Sequence, residues 1–362
     1  MKIKSIHQFL PVLARHDAIG ETVLEIQRTL KNWNYDSKIF VEKPIDQTSK
    51  ITKIYTDYVP EESDIVIYHH SIGSALADFI PKLNVIKVLF YHNITPPQFF
   101  EKYNKTIVTE LHNGRSQTEK LAKHFSFAMA ASEYNRFELR SMGFKNILNM
   151  QYFMNLERFD NIKLKEDISK QYQNTKNILF VGRKSPNKKI EDLLKVFAYF
   201  RIFNPASKLF VLGGSWAVEN YVEDLNALLE NLHIKNDVVF INTLTDEELA
   251  SYYKIANVFL CLSEHEGFCI PLVEAMYFGV PIVAYNSSAI PDTLGGSGIL
   301  VNHKKYPEIA QIIEMIIKNK ELAEDIKSKQ KDRLRFFSNS NTTELLKKNL
   351  EYITQNKENN SG

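Results

Sequence analysis

Between Val258 and Met276 the chain passes from an apolar run, Val258-Phe259-Leu260-Cys261-Leu262, through Ser263-Glu264-His265-Glu266-Gly267-Phe268-Cys269, into Ile270-Pro271-Leu272-Val273-Glu274-Ala275-Met276. The first part is apolar throughout, the pattern of a strand buried on both faces of a parallel sheet. Pro271 suits the first turn of a helix, which then runs toward Gly279. A strand, a glycine-bearing turn and a helix start together make an anion site, because unpaired N–H groups and the positive dipole end point into the turn. Glu266 falls on the loop, and Glu274 lies about one turn inside the helix. Two acids at a phosphate-friendly helix start suggest a ligand with both phosphate and hydroxyl groups, such as a nucleotide sugar. Either acid alone reads as a surface or dipole-favoured carboxylate; the whole run does not.

Strand–helix alternation fills the rest of the chain. Strands are predicted at 3–10, 37–41, 64–68, 85–91 and 127–131, with helices at 20–33 and 133–142. After a polar stretch at 163–176 the rhythm restarts, with strands at 177–181, 207–212, 238–241, 258–262 and 281–285 and helices at 190–202 and 222–232. Such alternation implies parallel sheets with helices on both faces, and 362 residues suit two domains better than one. The expected fold is α/β, two doubly wound Rossmann-like domains facing a central cleft, where the carboxyl ends of the strands bind ligands. The domains are read as 1–165 and 166–340. In 341–362 a last helix could return to the first domain, followed by a polar tail from 355.

Composition narrows the partners. A net charge of +2 is too balanced for a general polyanion field, so nucleic acid is not expected. Cys261 and Cys269 are the only cysteines, which excludes a disulfide framework and points to a reducing compartment. The start does not read as a signal peptide, and no uncharged apolar run approaches the roughly 20 residues that span a bilayer. A cytoplasmic protein is expected, with peripheral membrane contact left open. No His or Cys pair has zinc spacing, so no metal site is expected.

Arg183 follows the strand at 177–181, and Lys188 comes five residues later, before the next helix. A guanidinium fork and an ammonium at such a loop would neutralise a diphosphate; a solvated basic loop is an even alternative, since Lys184 and Lys189 are also present. His70 and His92 end strands of the first half, where a polar side chain faces the ligand cleft; for either one alone a capping or buried hydrogen-bonded imidazole is the better reading, and the pair shifts the balance toward a ligand role. Gly20 opens the first helix, yet Gly-x-Gly-x-x-Gly is missing there, which disfavours nicotinamide chemistry. P-loop and Gly-x-Ser-x-Gly motifs are also absent.

Here the chain resembles a retaining glycosyltransferase of family 4, a group with the two-domain GT-B fold. The resemblance rests on Val181-Gly182-Arg183 with Lys188, Asp246-Glu247-Glu248-Leu249 with Tyr252-Tyr253 and Ala256, Ser263 to Met276 with its Glu-x7-Glu element, and Gly279-Val280-Pro281-Ile282-Val283-Ala284. It covers about a third of the chain strongly, and extends weakly to Ala131-Ser132-Glu133-Tyr134-Asn135-Arg136. It implies that Arg183 and Lys188 hold the donor diphosphate and Glu274 the ribose. Glu266 and the amides of Gly267, Phe268, Cys269 and Ile270 would hold the transferred sugar, and Asn242 to Leu244 would receive the base. His92 looks like the family's first-domain histidine beside the reacting centre, with Gly20 and His70 shaping the acceptor side. The implied donor is a nucleotide-diphosphate sugar, the acceptor a glycan or lipid-linked glycan of surface polysaccharide synthesis, and neither metal nor cofactor is implied. Cys269 departs from the family's usual glycine, Lys189 from another, and Gly20 stands where many members have a glycine pair. A GT-B nucleotide-sugar epimerase and a non-catalytic nucleotide-sugar-binding module remain open as alternatives.

Overall fold

The computed structural model describes residues 3–14, 17–215 and 218–356. The chain forms two units: Met1–Pro97, Thr106–Asn155 and Phe337–Gly362 make the first, and Gln98–Lys105 with Leu156–Phe336 make the second.

In the first unit the described strands are β1 (Ser5–Leu10), β2 (Ile39–Val41), β3 (Thr52–Ile54), β4 (Asp64–His70), β5 (Ile86–Tyr91), β6 (Phe127–Ala130) and β7 (Ile147–Asn149). They pair in the order β3-β2-β1-β4-β5-β6-β7, each pair parallel. Strand order reverses direction between β1 and β4, which makes their carboxyl ends the topological switch point. β1 and β4 are buried along their whole length, as strands covered on both faces must be. Ile6, Ile65, Ile67, Val88, Phe90 and Met129 form one core cluster with Leu346, Leu350 and Ile353 of the helix Asn339–Gln355. The closing helix therefore completes the first unit. It runs through Gln355, so the polar tail begins later than position 355, and residues 357–362 lie outside the described residues.

The second unit contains β8 (Lys176–Val181), β9 (Ser207–Leu212), β10 (Val238–Ile241), β11 (Val258–Cys261), β12 (Ile282–Tyr285) and β13 (Ile299–Val301). Their order is β10-β9-β8-β11-β12-β13, again all parallel, with the switch point between β8 and β11. Helices Ile190–Phe203 and Tyr306–Lys318 pack against each other beside this sheet. Helix Tyr306–Lys318 ends at Asn319, whose side chain caps a new helix, Lys320–Leu334, by accepting from Leu322 N–H at 3.1 Å. The division falls at 155/156 and not at 165/166, because the short turn Leu156–Phe159 and helix Glu166–Tyr172 both pack on helix Asp246–Ile255. No helix among the described residues is long and apolar enough to cross a membrane.

Candidate functional site

β8 is apolar and fully buried from Ile178 to Phe180, after which the chain must turn out of the sheet. A Cβ on Gly213 would sit 2.5 Å from the Gly182 carbonyl oxygen, so the ends of β8 and β9 can approach only because residue 213 has no side chain. The turn Pro186–Lys188 then leads through Lys189, in the left-handed region at φ 53°, into helix Ile190–Phe203. Asn187 ties this loop to the one after β11: its Nδ2 donates to the His265 carbonyl at 3.0 Å, and its own carbonyl accepts from Glu264 N–H at 2.9 Å. The loops on either side of the switch point are thus held together.

That lacing brings Lys188 Nζ to 2.5 Å from Glu266 Oε2. Glu266 is 7% exposed, and its N–H donates to Ser288 Oγ at 2.8 Å. Burial works against the Lys188 ammonium, but Glu266 together with the neighbouring Cys269 and Cys261 outweighs it and raises its pKa above the usual lysine value. Arg183, on the same loop, is exposed and has no ion pair or hydrogen bond among the described residues. Lys184 is buried instead of solvated: its Nζ donates to the Gly213 carbonyl and, at 2.8 Å, to Asn242 Oδ1. The amide oxygen of Asn242 is therefore already engaged. Leu244 is half-buried beside Thr245, the cap of helix Asp246–Ile255.

Glu274 lies in helix Ile270–Tyr277 and is 5% exposed. Its Oε1 accepts from Arg158 Nη2 and its Oε2 from Tyr253 OH, both at 2.8 Å. Burial raises its pKa, with Arg158 working in the opposite direction. Sequence reading missed Arg158, which is 116 residues away in the chain and offers no local signal. Tyr253 stood inside a quoted motif without a role; the structure makes it a Glu274 partner.

Cys269 caps the helix start from a left-handed conformation, φ 76° and ψ 67°. Its Sγ, Cys261 Sγ and a Glu266 carboxylate oxygen all lie within 4.8 Å of one another, and all three residues are buried. No His or Cys pair has zinc spacing in the sequence, yet the fold brings these three side chains into one cluster. Spacing hid it, because the cysteines join the last residue of β11 to a helix cap across a turn. Gly267, Phe268 and Ile270 surround the same turn.

In the first unit, Gly20 lies in helix Ala18–Asn32, where its N–H donates to Asp17 Oδ1 at 2.6 Å. A Cβ there would sit 1.8 Å from the Ala14 carbonyl oxygen, so glycine is required by the closeness of the preceding loop. His92 follows β5 and belongs to a buried chain of hydrogen bonds. Gln8 Nε2 donates to the Val23 carbonyl at 2.9 Å, which leaves Gln8 Oε1 as acceptor from His69 Nε2–H at 3.0 Å. His69 Nδ1 must then accept from His92 Nε2–H, and His92 Nδ1 from Tyr152 O–H, each at 2.9 Å. Both ring nitrogens of His92 are committed, and burial, with His69 and His70 as neighbours, holds its pKa well below 6.5. The sequence-based role for His92, a ring nitrogen offered to a sugar, does not match this geometry. His70 also departs from its expected place on the acceptor side. β4 extends through residue 70, paired with Tyr91, so its ring is fully enclosed between Tyr68 OH at 3.0 Å and Thr118 Oγ1 at 2.9 Å. His69 and Tyr152, which actually contact His92, were not singled out from sequence.

Residues 161–333 match the family model described as Glycosyl transferases group 1. The chain is similar to the capsular polysaccharide biosynthesis glycosyltransferase CapM of Staphylococcus aureus, 29% identical over 56% of this chain and 52% of that protein. It is also similar to O-antigen chain mannosyltransferase B of Escherichia coli, 29% identical over 34% of this chain and 32% of that one. The chain thus spans about half the length of the first relative and about a third of the second. Among solved structures, sucrose-phosphate synthase of Thermosynechococcus elongatus superposes with a TM-score of 0.75 at 16% identity, covering 97% of this chain and 100% of that one. Anabaena HepE in complex with UDP-glucose gives 0.73 at 18% identity, covering 96% and 99%. These likenesses give the fold: the chain has a GT-B fold, its residues 161–333 are similar to the Glycosyl transferases group 1 family, and glycosyltransferases are among the proteins it resembles.

Proposed function

We propose that the protein is a retaining glycosyltransferase that moves a sugar from a nucleotide-diphosphate sugar to a glycan or lipid-linked acceptor in surface polysaccharide synthesis. The observation that carries this reading is the Lys188–Glu266 pair beside the unpaired Arg183, at the carboxyl ends of β8 and β11. A diphosphate placed there draws Lys188 away from Glu266. The ammonium and Arg183 then meet the charge that grows on the leaving phosphate, without calling on a metal ion. Glu266, released from Lys188, accepts hydroxyls of the transferred sugar, with the backbone of Gly267, Phe268, Cys269 and Ile270 around it. Glu274, steadied by Arg158 and Tyr253, takes the ribose, and the segment from Asn242 to Leu244 receives the base. Gly20 and His92 belong to the acceptor side, His92 as a positioning residue that holds Tyr152 and His69 in place. The UDP-glucose named with HepE, a chain of the same fold, supports a nucleotide-sugar donor. The capsule and O-antigen relatives support a polysaccharide or lipid-linked acceptor, and work in the cytoplasm, at the inner face of the membrane where such an acceptor is anchored, belongs to the same proposal.

The purified chain screened by thermal shift against UDP, GDP and ADP sugars should select one nucleotide class. That donor, given lipid-linked and polysaccharide acceptors, should then yield a product with the donor's anomeric configuration by NMR. Conversion of the donor to its epimer without an acceptor would replace this reading by the epimerase one. Tight binding with neither reaction would leave a non-catalytic module.

A further inference from the structure

We infer that Cys261, Cys269 and Glu266 form a binding site for one thiophilic divalent cation of the zinc type, and that its occupation shuts the donor site. Two sulfur atoms and a carboxylate oxygen within 4.8 Å, all on buried residues, are a mixed soft-and-oxygen ligand set of the kind zinc takes, with a fourth position left for water. In the backbone, Cys269 is strained: a Cβ-bearing residue at φ 76° is disfavoured where glycine would be relaxed. What the side chain supplies in return is a second thiol beside Cys261, whose own Sγ otherwise reaches only Ser263 Oγ at 3.4 Å. On binding, each thiol releases its proton to solvent, and the two thiolates and the carboxylate coordinate the ion with no change in oxidation state. Zinc–sulfur bonds of about 2.3 Å in a tetrahedral set put the two sulfurs about 3.8 Å apart, inside the 4.8 Å within which the three ligand atoms already lie.

Lys188 makes the site consequential. Its Nζ holds Glu266 Oε2 at 2.5 Å, and a cation that takes this carboxylate as a ligand competes with Lys188 for it. A bound cation thereby ties Glu266 down at the loop where the donor is proposed to sit and leaves Lys188 without its partner. The cation is therefore an inhibitor, and the ligand set itself stands whether or not the transferase reading does.

The reduced, metal-free full chain titrated with Co²⁺ tests this directly, without donor or acceptor. One ion per chain should bind, with a thiolate-to-cobalt charge-transfer band, and Zn²⁺ should abolish the band by displacement. Cys261→Ser and Cys269→Ser should each lose the band and weaken binding about tenfold or more. Cys269→Gly guards against misfolding: it relieves the left-handed strain, so it should melt no lower than the parent and still lose the band. Absence of the band in the parent, or its persistence in both Cys261→Ser and Cys269→Gly, overturns the site. If the parent binds a nucleotide, Zn²⁺ should weaken that binding in the parent and not in Cys269→Gly. Equal weakening in both would remove the inhibitory role while the cobalt result still decides the site.

Discussion

Lys188 and Glu266 are separated by 78 residues of chain and by 2.5 Å of space. The contact exists because β8 and β11, though distant in sequence, are neighbours in the sheet, and Asn187 bonds the loops that follow them. Removing one partner leaves the other charged in a partly dry site. Lys188→Ala should therefore cost about 1–3 kcal/mol of stability and lower transfer about a hundredfold or more. Adding Glu266→Gln should restore most of the stability and none of the activity. Urea titrations of the parent, single and double variants decide it: a double variant no more stable than Lys188→Ala would show that the two groups are not coupled.

Arg183 offers the opposite case. It is exposed and unpaired among the described residues, so Arg183→Ala should change stability by less than about 0.5 kcal/mol. Donor affinity and rate should nevertheless both fall. A melting temperature lowered with the rate intact would make Arg183 a structural residue.

Glu274 is held by Arg158 and Tyr253 before any ligand arrives. Glu274→Ala should weaken nucleotide binding by about 1.5–3 kcal/mol, the worth of a charge-assisted bond to a ribose hydroxyl. Arg158→Ala should act differently, destabilising the fold because a buried carboxylate loses its counter-charge. Calorimetry with the preferred nucleotide, read beside melting curves, separates the two. Unchanged affinity in Glu274→Ala would reduce the residue to a helix-start acid.

Acid should unfold the first unit early. Burial holds His69 at about 3 and His70 at about 4, and keeps His92 well below 6.5. Each is neutral when folded but takes a proton near pH 6.5 once unfolded. The stability they contribute is thus complete above pH 6.5 and declines as the pH falls toward 4 and then 3, by about 1.4 kcal/mol per pH unit for each histidine. Urea midpoints between pH 7.5 and 5 should drop steeply, and His69→Asn should flatten the slope. An identical slope in that variant would contradict the buried neutral assignment.

Chelation should not lower transfer, since Lys188 and Arg183 supply the cationic charge in the proposed mechanism. Dialysis against EDTA followed by a rate measurement suffices as the test. Activity lost to EDTA and restored by Mg²⁺ or Mn²⁺ would reassign the charge stabilisation to a metal.

The chain by itself determined the two parallel sheets, because a fully buried strand must be apolar at every position and a covering helix must carry a stripe. Runs such as Ile178 to Val181 and Ile65 to Tyr68 therefore announce themselves. The three-residue strands Thr52–Ile54, Ile147–Asn149 and Ile299–Val301 did not, being too short to show a period, and the largely polar helix Lys105–Leu121 did not either. Glu266, Glu274, Arg183 and Lys188 could be singled out as candidates because each sits on a local strand–loop–helix pattern. Their partners could not be. Arg158 on Glu274, the thiol of Cys261 beside Cys269, and the run from Gln8 through His69 and His92 to Tyr152 each join segments far apart in the chain. Local patterning reflects what a residue needs of its own helix or strand, whereas a hydrogen bond or ligand set between distant segments depends on sheet order and register, which only the tertiary structure decided.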